Sequence, residues 1–448
     1  MLRTVCHSAS DRHRLLTLLI IVALAAPCAT AEIPPAHYRG SRLVSVWLPY
    51  WTNLDGMGIG WRSVQANAQW IDEVSFFAWS ADPATGDLKP PNRGIDATPL
   101  IDQVVWLHAR DVAALFTVTQ FGSVHETLNN PAALAHLTDE IVRTARMNEF
   151  DGVDIDFEEF KPADPKDAAL YTAFLDNLAK AMHAERDVNG FPKLAIATVL
   201  AKTNRGKFGY TDEEAIARSS IDRVRVMAYD DFYPGSKTPG ASAPLPWTKS
   251  VASFIETLNA PAEKFILGIP GYGYQWPIKS ADEPSTIAKG KSFTYPQAMT
   301  LIANNQAVSV WDAESQTHKL TYARTDPAQT WVGYYEDARS WSAKIDQVLL
   351  PSRLGGLCEW AAGFEDPASW PMIAYRLETR YPVYGAIGQC YARYGGGAAL
   401  GLPTGPPKPV GGYDDALPYG RTAIEQRFEH ATIRYRWGDW NAAIVGGG

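Results

Sequence analysis

The chain has 448 residues, 46% of them hydrophobic and 20% charged, with a formal net charge of -8 at pH 7. That length is long for one domain and short for three, and the acidic balance excludes a basic footprint for nucleic acid. Fifteen Trp and twenty Tyr exceed the needs of a core, and flat aromatic faces of that kind suit a sugar-binding cleft.

The first element is an export signal. Arg3, Arg12 and Arg14 precede a mostly apolar run from Leu15 to Ala26, and Ala29-Thr30-Ala31 supplies small residues for cleavage. The run is too short to span a bilayer as a helix. Cleavage after Ala31 removes three Arg and one Asp, a net +2, and takes the charge from -8 to -10. No second apolar stretch of membrane length follows, so the mature chain is expected to be secreted or held at the cell envelope, with no membrane span.

Short apolar, β-branched or aromatic runs then recur at Leu43–Trp51, Val74–Trp79, Ala113–Thr119, Gly152–Phe157, Leu194–Leu200, Val224–Tyr229, Phe265–Pro270 and Gly356–Trp360. Between them lie stretches such as Pro131–Met147 and Asp167–Glu185, where apolar residues recur at three and four and predict helices. Strands alternating with helices imply parallel βαβ units. Eight of them predict an α/β fold, a (β/α)8 TIM barrel with its site at the C-terminal strand ends. A doubly wound open sheet is the alternative, but no Gly-rich phosphate turn supports it.

The fourth run carries the chemistry. In Asp151-Gly-Val-Asp-Ile-Asp-Phe-Glu158, Asp154, Asp156 and Glu158 recur every second residue. On a strand the three acids share one face, and Val153, Ile155 and Phe157 share the other. Buried unpaired carboxylates are costly, so an ordinary core strand does not align three of them. The Asp156 and Glu158 Cα atoms lie roughly 6.6 Å apart along such a strand, close enough for one acid to hold a proton while the other stays ionised. A solvated edge strand does not fit the continuous apolar face, and a calcium loop wants Gly and polar spacers. The chemistry read here calls on no metal and no cofactor.

Further along, nearly sixty residues separate strands seven and eight, from about 276 to 334. Within them Val308–Asp312 and Lys319–Ala323 read as short strands, so a small β-rich flap on the barrel rim is expected. Tyr229 and Asp230 end the sixth run and Trp360 the eighth, where the fold puts chemistry, with core packing as the plain alternative for the two aromatics. Tyr50, Trp51 and Trp79 also fall at strand ends and are expected in the cleft. Two cysteines remain after cleavage, Cys358 and Cys390. Cys358 shares the parity of Trp360 and points inward, which favours two free thiols over a bridge.

These motifs resemble glycoside hydrolase family 18. The segment Asp151–Glu158 matches the family's D-G-x-D-x-D-x-E signature at every required position. Met227-Ala-Tyr-Asp230, Leu267-Gly-Ile-Pro-Gly-Tyr-Gly273, Tyr334–Ser340 and Gly355-Gly-Leu-Cys-Glu-Trp360 with Asp366 resemble its later motifs, in family order. The departure is Cys358, where Met or another apolar residue is usual. The resemblance spans 43–375 and implies a retaining hydrolase of β-1,4-linked N-acetylglucosamine polymers, chitin or peptidoglycan. It also implies a mechanism in which the substrate's acetamido group replaces an enzyme nucleophile. Glu158 is then the acid, Asp156 orients the acetamido group, Asp154 shares charge behind it and Tyr229 bonds the acetamido oxygen. Asp230 helps hold the sugar and Trp360 floors it. The same fold hosts lectin-like barrels that bind glycans without cleaving them, but inactive relatives generally lose the acid that Glu158 keeps.

Residues 376–448 turn rich in Gly and Tyr, with Gly395-Gly-Gly397, Leu400-Gly-Leu-Pro-Thr404 and Gln426–Ile433. This segment resembles an LGFP-type repeat, with Leu-Gly-Leu-Pro for Leu-Gly-Phe-Pro. That likeness implies attachment to a cell-envelope glycan, and a stability cap on the barrel is the alternative.

Overall fold

The computed structural model describes residues 42–448 except 54–57, 93–97, 162–163, 207–208, 281–282, 305–306, 326–327, 378–382, 384, 402, 405–407, 414–420, 437–438 and 447–448. The segment expected to be an export signal therefore lies outside the described residues. Eight parallel strands form the centre: β1 (Leu43–Pro49), β2 (Glu73–Ala81), β3 (Ala113–Phe121), β4 (Gly152–Glu158), β5 (Leu194–Leu200), β6 (Arg223–Met227), β7 (Phe265–Pro270) and β8 (Gly356–Trp360). Each pairs with its neighbours in order, and β1 pairs with both β8 and β2, so the sheet closes. Closure removes the open-sheet alternative. The fold is a (β/α)8 barrel.

Alternation sorts the side chains. On β4, Val153, Ile155 and Phe157 are fully buried in the layer between barrel and helices. The helix Pro131–Met147 covers part of it with Leu137, Ile141 and Ala145, spaced at four. Its start is set by Pro131 in the first turn and by Asn130, whose side chain accepts from the Ala133 N–H at 3.2 Å. In the next helix, Asp167–Ala184, Tyr171 and Phe174 stack on Phe157. The opposite face of β4 looks into the barrel, where Asp154 and Asp156 sit beside Thr117, Thr119 and Thr198 of the adjoining strands. The acids thus occupy a central strand and not a solvated edge.

Past β7 the chain builds a five-stranded antiparallel sheet from Tyr272–Pro277, Lys291–Thr294, Ala307–Asp312, Thr317–Thr325 and Ala328–Tyr335, with one helix, Tyr295–Ala303. This is the flap expected from the long connection. It has its own core around Phe293, Leu320, Tyr322 and Trp331.

The last segment has helices Gly385–Arg393 and Gly396–Leu400 and four antiparallel strands between Lys408 and Gly446. Ile387, Cys390, Leu400, Phe428 and Ile433 form a separate core there. Cys358 and Cys390 are both buried and unbridged. No helix among the described residues is long and apolar enough to cross a membrane.

Candidate active site

The lower layer of the barrel interior is ionic and balanced. The Asp154 carboxylate accepts from Trp47 Nε1 at 2.8 Å, Thr198 Oγ1 at 2.7 Å, Thr117 Oγ1 at 3.3 Å and Arg225 Nη1 at 2.9 Å. Arg225 also donates to Ser75 Oγ, Ser45 Oγ and Glu73 Oε2, and Glu73 pairs with Arg223 at 2.6 Å. Arg225, Glu73 and Asp154 are wholly buried. Two cations meet two anions, which is the condition for keeping charges in a low-dielectric interior.

One layer up, that balance ends. Asp156 is 4% exposed, and its Oδ1 accepts no hydrogen bond. Burial first, then the charges of Glu158 and Asp154, hold its carboxyl well above the ordinary carboxylate range. Glu158, half-buried at the strand end, is pushed up to about 7 by burial and by the charge of Asp230. The sequence reading leaves one of these two acids ionised and the other protonated. Here burial raises both, and the carboxylate with a cation beside it is Asp154. Asp154 thus bonds to Arg225 while its charge also acts on Asp156.

Asp230 follows β6 in the left-handed region, at φ 65°. Asp tolerates that conformation better than most residues, and it turns the carboxylate across the cleft toward three hydroxyls. Ser242 Oγ and Tyr272 Oη donate to Oδ1, and Tyr274 Oη donates to Oδ2 at 3.0 Å. The residue is exposed along the cleft wall, yet protein crowding around the carboxyl outweighs those bonds and raises its pKa. Trp360 lies edge-on to Trp47, Trp51 and Phe77, at centroid distances of 5.8, 6.2 and 4.7 Å.

Tyr50, Trp51, Asp156, Glu158, Tyr229, Asp230 and Trp360 all line one cleft of about 1510 Å³. Trp79 does not. It is 5% exposed and packs on Phe116 and Phe150 in the outer core. The β2–β3 register slips between Phe76 and Trp79, so the inward parity of Ser75 and Phe77 passes to Ala78 and Ser80. Sequence reasoning missed Trp47, Phe77, Arg225, Tyr272 and Tyr274. Only the Tyr pair left a signal, in the alternating Gly271-Tyr-Gly-Tyr274.

Residues 118–365 match the profile of Glycosyl hydrolases family 18. The chain belongs to that family. It is a glycoside hydrolase. A putative sporulation-specific glycosylase of Bacillus subtilis strain 168, YdhD, is 31% identical over 318 residues, covering 68% of this chain and 69% of that protein. A class V chitinase of Arabidopsis thaliana is 29% identical over 255 residues, covering 53% and 64%. Among solved structures, the Bacillus cereus spore cortex-lytic enzyme SleL superposes with a TM-score of 0.62 at 19% identity, covering 76% of this chain and 75% of that one. The GH18 chitinase from Cycas revoluta in complex with (GlcNAc)3 also gives a TM-score of 0.62, at 21% identity, with 74% and 98% covered. At those identities the two structures speak to the fold, which is the barrel described above.

Proposed function

We propose that this family 18 hydrolase cleaves β-1,4-linked polymers containing N-acetylglucosamine by substrate-assisted catalysis, outside the cytoplasm. The observation that carries the reading is the Asp156 carboxyl, which lines the cleft while its buried Oδ1 lacks any donor. A buried acceptor without a partner costs about 1–3 kcal/mol. Rotation of the carboxyl toward the cleft, where Asp156 lines the wall, would bring that oxygen to an acetamido N–H arriving with substrate. Glu158, protonated up to about pH 7, then gives its proton to the glycosidic oxygen as that C–O bond breaks. The acetamido carbonyl oxygen attacks the anomeric carbon from the other face and closes an oxazolinium ring, with the Tyr229 hydroxyl holding that oxygen. Water then opens the ring with Glu158 as base, and configuration is retained. Trp360 floors the reacting sugar, and Asp230 steadies it.

The polymer is chitin or peptidoglycan. Chitinases and a spore cortex-lytic enzyme both stand among the similar proteins, which supports an N-acetylglucosamine glycan in either form. The N-terminal export signal and the C-terminal segment support action at the envelope. An N-acetylglucosamine thiazoline should inhibit, because it mimics the bound oxazolinium and intermediate-like ligands bind tightly. Product analysis on chitin oligosaccharides and on purified peptidoglycan names the polymer. Trapping a covalent glycosyl-enzyme on Asp156 would overturn the mechanism, and cleavage of neither glycan would overturn the substrate class.

A further inference from the structure

Alternation on β8 turns Glu359 away from the barrel interior that its neighbours Cys358 and Trp360 face. It is fully buried, and no N–H or O–H donor serves either of its carboxyl oxygens. Gly271 lies against it: a Cβ there would come within 2.8 Å of Glu359 Oε1 and 3.1 Å of the Glu365 backbone nitrogen. Burial acts first on the Glu359 carboxyl, and next the Glu365 carboxyl, through its charge and through a side-chain hydrogen bond.

Glu365 is itself buried and held as an acceptor. Its Oε1 accepts from Ser63 Oγ and from Trp370 Nε1 at 2.9 Å, and its Oε2 from the Gly363 N–H at 2.6 Å. Ser63 belongs to the helix Ile59–Asn67 and Trp370 to the helix Ser369–Leu377. The next carboxylate, Asp366, is turned elsewhere and accepts from the Ala338 and Ala368 amides. Two carboxylates offer only acceptors to each other, so they bond only when a proton lies between them. Two bare anions at such a buried site would repel strongly at low dielectric.

We propose that Glu359 and Glu365 share one proton, and that this proton latches the end of β8, Trp360 included, onto the two helices behind the barrel. The Trp360 carbonyl accepts from the Gly271 N–H at 2.7 Å, so the residue beside the Glu359 carboxyl and the Glu365 backbone also touches the cleft floor. Burial raises the Glu359 carboxyl well above its ordinary range, in keeping with a retained proton. The folded chain then holds a proton that the unfolded chain releases. Stability from the latch is complete below the ordinary carboxylate range and declines as pH rises through the pair's titration. No catalytic step uses either acid, so the latch is a positioning device that makes the cleft floor pH-sensitive.

The test is urea denaturation of the full chain across a pH series for the wild type, Glu359→Gln and Glu359→Leu. Gln supplies a permanent donor, and Leu removes the ionisation without leaving a charge. For each variant, the folding constant relative to wild type should climb with pH, by up to about tenfold per unit inside the titration window. A ratio flat in pH for the variants that fold would overturn the shared proton. KM on an N-acetylglucosamine hexamer reads the floor: Gln should keep the wild-type value at acidic pH, while Leu raises it severalfold. Equal KM in all three would remove the latch. If the wild type cleaves no such oligomer, the functional reading fails while the stability series still decides the shared proton.

Discussion

Replacing Glu158 by Gln keeps the side chain's shape and deletes one ionisation. In the folded chain burial, with the charge of Asp230, pushes that carboxyl up to about 7, from about 4.5 for an exposed glutamate. The gap, about 2.5 units at 1.36 kcal/mol each, means that an ionised Glu158 costs the fold about 3 kcal/mol. Below pH 4 both states hold the proton and the substitution is neutral. As pH rises from there to about 7 the unfolded chain ionises first, and wild-type stability falls. Above pH 7 the full cost is present. Glu158→Gln should therefore match wild type near pH 4 and exceed it by about 3 kcal/mol at pH 8, measured by urea denaturation at both values. Hydrolysis should fall at least about a hundredfold, because the proton donor is gone. Binding of an oligosaccharide should largely persist. A stability difference that ignores pH would refute the burial reasoning, and near-normal turnover would refute the assignment of the acid.

The same carboxyl predicts that kcat/KM falls about tenfold per pH unit above about 7. Asp230→Asn removes the charge that helps raise it, so this alkaline limb should move to lower pH; a limb that stays put would exclude the coupling. Arg225→Met leaves Asp154 and Glu73 short of a buried cation, and denaturant unfolding should show a loss of about 3–5 kcal/mol. A loss under about 1 kcal/mol would mean that the ionic layer is not needed. A chain ending near Tyr381 should fold and cleave soluble oligosaccharides, because the C-terminal segment has its own core. It should lose activity mainly on insoluble walls, where a second contact raises local concentration, whereas aggregation or a much lower Tm would show that the segment caps the barrel.

How far the sequence could be read depends on how local each cause is. Three acids at every second position are legible because a strand's period of two forces them onto one face, and β4 presents that face to the barrel interior. The strands Leu194–Leu200, Phe265–Pro270 and Gly356–Trp360 are legible end to end, since apolar runs and their flanking turn residues fix both limits. A place at a strand end does not carry Trp79 into the cleft, because the register slips after Phe76, and that slip cannot be seen in Val-Ser-Phe-Phe-Ala-Trp. Arg225 was invisible for another reason. Its partners lie 71 to 180 residues away, and only barrel closure brings Ser45, Ser75, Glu73 and Asp154 around one guanidinium. On its own, Arg223-Val-Arg225 reads as a solvated edge. That cation decides what the three acids do. Asp154 lies at its depth and bonds to it, whereas Asp156 and Glu158 lie above it, where burial favours the protonated form. The repeat sets three equivalent carboxyls along the strand, and depth in the barrel makes them chemically different. A substitution that changes depth or pairing, and not the acids themselves, should therefore be able to silence this site.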